Sequence, residues 1–252
     1  MARDLRREFH SELDDLRNEI ARLGAYVVEL IPRVTEVLLA QDLEGAAYVL
    51  HGDDDIDRRT DAVEERALMM LALQAPVAGD LRQIAAVLKL APELERSADL
   101  CCNIVKASRR IYGHDLDPKL RGLIQRMSDQ AHKEYQRTIE AYVNVDVSRA
   151  AAMADMDELL DQIHREFIQQ IFETHANKSI DLQVAVQLAL IGRFYERLGD
   201  HAVNIAKRVV YIGTGTIPGH DATDRPVGDV EPAPEAPTDP PPGPDGGLSD
   251  QG

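Results

Sequence analysis

The chain has 252 residues and a formal net charge of −16, because 44 acidic side chains outnumber 28 Lys and Arg residues. This balance disfavours nucleic-acid binding, which depends on clustered positive charge, and favours cationic partners such as metal ions. The aromatic content of 4% and the absence of Trp disfavour a β-sandwich. The longest uncharged run, Ala67–Gly79, has 13 residues and is too short for a membrane span, which needs about 20.

The start of the chain and its cysteines indicate a cytoplasmic protein. The first residues, MARDLRREFHSEL, include basic side chains but lack the apolar segment of a signal peptide. Cys101 and Cys102 are the only cysteines, and neighbours on a helix point about 100° apart, so a disulfide between them would be strained. We therefore expect a reducing compartment and two thiols that pack in the core.

Apolar spacing predicts three long helices in the first half of the chain. Apolar residues recur every three or four positions over Leu5–Leu38, which predicts a first helix of about 35 residues. Pro32 lies inside this helix, where proline favours a kink. A turn is predicted at His51–Asp55, a second helix from about Asp55 to Gln74, and a third from about Asp80 to Arg110.

The second half repeats the same order of segments. Gln41–Asp57 aligns with Val145–Asp161 at an offset of 104 residues, and the offset is 101 from Asp80 onward. The change of three residues predicts that the second helix of the second half is shorter by about one turn. A repeat of about 100 residues indicates domain duplication. The sequence thus predicts an all-α protein of two tandem three-helix units, residues 1–112 and 113–214, joined near Tyr112–Leu120.

The composition changes after Ile212. From Gly213 onward the chain has nine of its thirteen prolines, eight acidic residues and one basic residue, Arg225. Such a segment has almost no apolar surface to bury, so residues 215–252 are predicted to form a disordered acidic tail.

One polar pattern occurs in the third helix of each unit. LERSADLCCNIVK begins at Leu94 and YERLGDHAVNIAK at Tyr195, and the two segments share six identities over thirteen positions. In each, a Glu, an Asp and an Asn are spaced i, i+4, i+8, which places them on one helix face. These residues are Glu95, Asp99 and Asn103 in the first copy, and Glu196, Asp200 and Asn204 in the second.

The second helix of each unit adds another acid pair, Asp53 and Asp57 in the first unit and Asp157 and Asp161 in the second. Crowded carboxylates repel one another, and partly buried ones take up protons unless a cation is present. Oxygen-rich sites on facing helices favour hard cations such as magnesium, manganese, calcium or iron. The repeated acids therefore predict a metal-binding face in each unit.

Three other interpretations are open. The acids could form a solvated, salt-bridged face, or the chain could be a helical scaffold without a ligand. A carboxylate-bridged di-metal oxidase of the ferritin type needs Glu-x-x-His on two helices. The nearest patterns here are Asp161-x-x-His164 and Asp57-x-x-Thr60, so the required symmetry is missing. Five histidines share no spacing and are expected to be structural or exposed: His10, His132, His164, His175 and His201.

Over about residues 5–215 the chain resembles the PhoU family of phosphate-signalling regulators. The resemblance is carried by DDDID, APVAGDLR, LERSADLCCNI and YERLGDHAVNIAKRVVYIGTG, which begin at Asp53, Ala75, Leu94 and Tyr195. It implies two three-helix bundles related by a pseudo-two-fold axis. The acidic motifs that bind metal clusters in some members would fall on Asp53 and Asp57, Glu95 and Asp99, Asp157 and Asp161, and Glu196 and Asp200, with Asn103 and Asn204 beside them.

The resemblance also implies a function without catalysis. Members of the family help to couple the ATPase subunit of the phosphate ABC transporter to a membrane histidine kinase, and they hold the phosphate-starvation response off when phosphate is plentiful. We expect the same of this chain, acting as a homodimer through protein contacts and meeting the membrane only through its partners. The expected metal is iron, manganese, magnesium or zinc.

The first copy of the motif departs from the second. Pro92 lies three residues before Glu95, which predicts that the third helix bends or begins there. Ser97 and Ala98 replace Leu198 and Gly199 of the second copy. The first metal site is therefore expected to be less well formed than the second.

Overall fold

A computed structural model describes residues 2–216 and 218, with side chains from residue 6 onward. In this part of the chain all regular secondary structure is α-helical, which confirms the predicted all-α class. The described residues form six long helices and two short ones. The helices are α1 (Ala2–Ala40), α2 (Leu43–His51), α3 (Asp53–Gln74), α4 (Ala78–Arg110), α5 (Pro118–Asn144), α6 (Val147–Ala151), α7 (Met153–Ala176) and α8 (Leu182–Thr214).

The helices form the two predicted three-helix bundles. α1, α3 and α4 pack together in the first bundle, and α5, α7 and α8 in the second. From Phe9 to Leu38, the apolar residues of α1 that are spaced three or four apart are buried, as predicted. They include Leu13, Leu16, Ile20, Leu23 and Val27.

The short helices α2 and α6 were not predicted. With nine and five residues, they are too short to show a periodic apolar pattern. Each begins after an aspartate whose side chain accepts backbone N–H groups: Asp42 from Glu44 and Gly45, and Asp146 from Arg149. This N-cap satisfies amides that have no partner inside the helix.

Two predicted boundaries were wrong. α3 begins at Asp53 rather than about Asp55, so the predicted turn shrinks to Gly52, since acids in a first turn are favoured by the helix dipole. α7 is not shorter than α3, because it has 24 residues against 22. It begins at Met153, four residues before Asp157, the counterpart of the first residue of α3, and this earlier start outweighs the three residues missing further along.

Both prolines lie within continuous helices. α1 runs through Pro32, and α4 runs through Pro92 over 33 residues. Of the two alternatives predicted at Pro92, a helix start there was wrong, and a bend stays a prediction. Packing of α4 against both α1 and α8 offsets the hydrogen bond that each proline removes.

The bundles meet through α1 against α5 and α4 against α8, in one compact unit. Thr35 of α1 donates to Ser128 of α5 at 2.7 Å. In the repeat, which has an offset of 104 residues, Thr35 corresponds to Ile139 of α5 and Ser128 corresponds to Gly24 of α1. Ile139 packs so closely on Gly24 that a Cβ on this glycine would overlap the isoleucine side chain. The same two positions thus meet twice, once as a polar pair and once as an apolar pair, as expected of pseudo-two-fold packing.

The boundaries at residues 112 and 214 stay predictions, and the tail prediction for 215–252 falls almost wholly outside the described residues. Within the described helices, none has a stretch long and apolar enough to cross a membrane. Cys101 and Cys102 are free thiols and buried, as expected.

Candidate metal-binding faces

Four acids of the second bundle come together where α7 packs along α8. Asp157 and Asp161 lie on α7, and Glu196 and Asp200 on α8; we call this set the second-bundle acid face. Burial, with Asp161 and Asp200 adding to it, raises the pKa of Asp157 to about 6. Burial and Asp200 also raise the pKa of Glu196. The charges of Asp161 and Asp200 therefore lie close enough to Asp157, and that of Asp200 close enough to Glu196, to disfavour ionisation of these two acids.

The close approach of α7 to α8 depends on Gly199. A Cβ at this position would overlap Asp157 Oδ1 and would lie 2.7 Å from Leu160 Cδ2. Only a residue without a side chain leaves space for Asp157 in this arrangement. The first bundle has Ala98 at the equivalent position, so α3 and α4 cannot converge in the same way there.

Oxygen atoms in the second bundle lack hydrogen-bond partners. Asp157 Oδ1 and Glu196 Oε2 are both inaccessible to solvent and unpaired, and so is Oε2 of a further acid, Glu134 on α5. Buried acceptors without donors are costly, and a cation satisfies several of them at once. The donor chemistry here fits a hard cation.

Asp53 and Asp57 of α3, with Glu95 and Asp99 of α4, form the first-bundle acid face. Burial and the carboxylates of Asp53 and Asp99 raise the pKa of Asp57. Burial and Asp99 raise the pKa of Glu95, and burial and Asp53 raise that of Asp99. Cys102 also faces this set, since its Sγ donates to Asp53 Oδ1 at 3.3 Å. These acids also repel one another, but no orphaned carboxylate oxygen is found among them.

Each acid face offers oxygen ligands but does not surround a metal position completely. Among the described residues, no group of three or more His, Cys, Asp or Glu side chains is placed to hold a metal ion as it stands. The chemistry that the faces offer is the binding of hard cations by oxygen.

The two asparagines do not play matching roles. Asn204 hydrogen-bonds to Glu93 of α4, and His201 forms an ion-pair contact with the same carboxylate, so both residues link the two bundles. Burial alone would raise the pKa of Glu93. The hydrogen bonds from His201 and Asn204 and the charge of His201 outweigh burial, so the pKa of Glu93 is lowered. Asn103 is half-buried one turn after Asp99.

Sequence reasoning missed Glu134 and the contact between Glu93 and His201. A signal for Glu134 was present, because it occupies a position in the apolar stripe of α5 between Ala131 and Thr138, both fully buried. No comparable signal existed for Glu93, since its partner lies 108 residues away.

Two tandem three-helix bundles that each repeat an acidic face define a class of duplicated, all-α proteins. A family model described as the PhoU domain matches the chain twice, over residues 20–108 and 124–209. The chain belongs to the PhoU family.

Curated relatives match the chain over nearly the whole of the two bundles. The chain is 31% identical over 218 residues to a Mycobacterium leprae protein named phosphate-specific transport system accessory protein PhoU homolog 1, covering 86% of this chain and 97% of the relative. A Thermotoga maritima homologue of the same name is 30% identical over 207 residues, 82% of this chain and 89% of that one.

Solved structures agree with the fold. The phosphate transport system regulatory protein PhoU from Streptococcus pneumoniae superimposes with a TM-score of 0.76 at 26% identity, covering 83% of this chain and 98% of that one. PhoU from Pseudomonas aeruginosa gives a TM-score of 0.78 at 25% identity, covering 82% and 100%.

Proposed function

We propose that this protein is a negative regulator of phosphate uptake and of phosphate-starvation signalling, and that it has no catalytic activity. The observation that carries the proposal is the extent of the similarity, which spans 97% of a relative named as an accessory protein of the phosphate-specific transport system. A match over both bundles supports transfer of the regulatory role more strongly than a match to one motif.

The protein acts by contact, at the cytoplasmic face of the membrane, with the ATPase subunit of the transporter and with a sensor histidine kinase. Exposed apolar side chains support a role in protein contacts. Leu73 and Val77 beside the α3–α4 turn are 72% and 73% exposed, and Phe172 and Leu182 beside the α7–α8 turn are 70% and 66% exposed. Apolar groups in water favour association with a partner or with a second copy of the chain.

Metal at the two acid faces stabilises the packing of α3 on α4 and of α7 on α8. A divalent or trivalent ion of iron, manganese, magnesium or zinc would be held by the carboxylates of Asp53, Asp57, Glu95 and Asp99, and by those of Asp157, Asp161, Glu196 and Asp200. A bound ion supplies positive charge that offsets the repulsion within each face. The chain itself supplies the helix packing that holds each carboxylate in place.

Deletion of the gene tests the regulatory role. Output from a phosphate-starvation reporter in phosphate-rich medium is expected to rise on deletion and to return to its low level when the gene is restored. The reporter should be measured in a strain without any second copy of such a gene. Low output in that strain after deletion would contradict the proposal.

Substitution of the acids tests the metal role separately. Restoring the gene with Glu196→Ala and Asp200→Ala is expected to leave reporter output high, with Arg126→Ala, an exposed residue of α5, as control. Purified protein should contain bound metal, and its thermal stability should rise on adding manganese or iron. Protein without metal whose stability ignores added ions would leave the acids as salt-bridge residues.

A further inference from the structure

Glu134 is a fully buried acid on α5, the first long helix of the second bundle. Its relative exposure is 0%, and Gln130 donates to Oε1 at 2.7 Å. The same Gln130 amide also donates to the carbonyl of Met156 on α7 at 3.0 Å, which fixes its position between the two helices. One oxygen of Glu134 is therefore held in place, while the buried Oε2 receives no hydrogen bond from a donor. The carboxyl groups of Glu134 and Asp157 lie within hydrogen-bonding reach of each other.

The unpaired oxygen points into the second-bundle acid face. Glu134 Oε2 lies 3.1 Å from the point where a Gly199 Cβ would stand, and Asp157 Oδ1 overlaps the same point. Two orphaned oxygens from different helices thus converge beside α8. Both are acceptors, so only a shared proton or a cation between them can make the contact favourable.

This third acid is specific to the second bundle. Gln41 and Val145 are equivalent left-handed residues at the ends of α1 and α5, and the eleventh residue before each is Leu30 and Glu134 respectively. Leu30 is an apolar core residue, 7% exposed. The first-bundle acid face therefore takes carboxylates from two helices, and the second has them from three.

We propose that Glu134 is a further ligand of the cation site at the second-bundle acid face, and that Gln130 is its positioning residue. The inference rests on the proposed metal binding at the repeated acids. It adds to that site a ligand from outside the repeated motif. The ligand is a hard divalent cation such as Mn²⁺. An added carboxylate makes the second site the tighter of the two, since affinity of oxygen sites rises with the charge of their ligands.

Burial is consistent with this role. Burial, with the charges of Asp157 and Asp161 adding to it, raises the pKa of Glu134 to about 8, although the hydrogen bond from Gln130 opposes the shift.

The test is a titration of full-length protein with Mn²⁺ by calorimetry, with free Mn²⁺ followed by electron paramagnetic resonance. The parent protein for this comparison carries Asp53→Asn and Asp57→Asn, so that Mn²⁺ binding is measured at the second-bundle acid face alone. Glu134→Gln is then added, because glutamine keeps the size of the side chain and can donate to Asp157 but lacks the charge. We expect its Kd for Mn²⁺ to rise by about tenfold or more, as even indirect partners of a metal cost that much.

The matched control places Glu134→Gln in a parent with Asp157→Asn and Asp161→Asn, where the first site alone binds and its Kd should not change. Glu134→Asp keeps a carboxylate and should give a Kd between those of the parent and the glutamine variant. A Kd for Glu134→Asp equal to that of Glu134→Gln would assign the loss to packing and overturn the inference.

The outcomes separate this inference from the proposed function. If Glu134→Gln leaves the Kd within twofold while Asp157→Asn abolishes binding, the role of Glu134 is overturned and metal binding by the repeated acids stands. If the wild-type chain binds no Mn²⁺, both the metal role and the role of Glu134 are overturned.

Discussion

At the level of single residues, Gly199 determines how closely α7 approaches α8. The missing Cβ makes room for Asp157 and lies beside the unpaired oxygen of Glu134. Ala98 at the equivalent place in the first bundle means that the two acid faces differ although their acids are repeated. The divergence lies in residues between the repeated acids rather than in the acids themselves.

Gly199→Ala is expected to lower the free energy of unfolding by about 1–3 kcal/mol, because the added methyl group overlaps a buried carboxylate and a core leucine. The measurement is chemical denaturation of metal-free protein. Gly122→Ala in α5 is the control, since nothing lies within 4 Å of its new Cβ, and alanine should stabilise that helix by about 1 kcal/mol or less. Equal stabilisation by both changes would contradict the close approach of α7.

The pH dependence of stability is a second prediction at this scale. The pKa of Glu134 is about 8 in the folded protein and 4.5 ordinarily, so the folded state keeps a proton that the unfolded chain releases. Its stabilising contribution is complete below pH 4.5 and is lost as the pH rises through about 8. Asp157, with a pKa of about 6 against 3.8, acts in the same direction over a lower window.

Thermal unfolding of metal-free protein between pH 5 and pH 8.5 checks this sign. The wild-type chain should lose stability across the range, and Glu134→Gln should lose less. The titration of Glu93 does not contribute between pH 5 and pH 8.5, because its lowered pKa changes stability only at more acidic pH. Parallel curves for the two proteins would show that Glu134 does not titrate in this window.

At the level of helices, much of the fold was predictable because long amphipathic helices leave a periodic pattern. The apolar residues from Leu13 to Val27 predict the buried face of α1 correctly. The short helices left no such pattern, and their N-caps at Asp42 and Asp146 were visible only as matched residues in the repeat. The path of α4 through Pro92 depends on packing against two other helices, which local sequence does not encode.

The candidate site was predictable only in part, for a related reason. Acids at i, i+4 can be read from one helix, so the pairs on α3, α4, α7 and α8 were found. Glu134 and its contact with Asp157 required knowledge of which helices face each other. Long-range pairing of this kind depends on tertiary structure.

Asp42→Ala tests the helix-scale account. The alanine removes acceptors for the N–H groups of Glu44 and Gly45 and is expected to cost about 1 kcal/mol of stability. Asp42→Asn is the matched control, because its amide oxygen can still cap the helix. The measurement is the free energy of unfolding of both variants. An equal loss of stability in the two would contradict the role of Asp42 as the N-cap of α2.

At the level of the whole molecule, a buried polar network joins the bundles near their centre. Thr35 Oγ1 donates to Ser128 and lies 2.6 Å from the hydroxyl of Tyr195, while Ser97 contacts Tyr135. Every hydroxyl in the network is buried, so none can exchange its partner for water. The network therefore ties the orientation of one bundle to that of the other.

Thr35→Val should destabilise the chain by about 1–3 kcal/mol, because it leaves buried hydroxyl groups without their partner. Since both bundles belong to one compact unit, the loss should appear as a lower Tm for a single transition, about 2–4 °C for each kcal/mol. Tyr195→Phe and the double variant complete a cycle, and a coupling energy of about 0.5 kcal/mol or more is expected for residues in contact. If calorimetry resolves two transitions in Thr35→Val, one for each bundle, the bundles unfold independently and the network does not couple them.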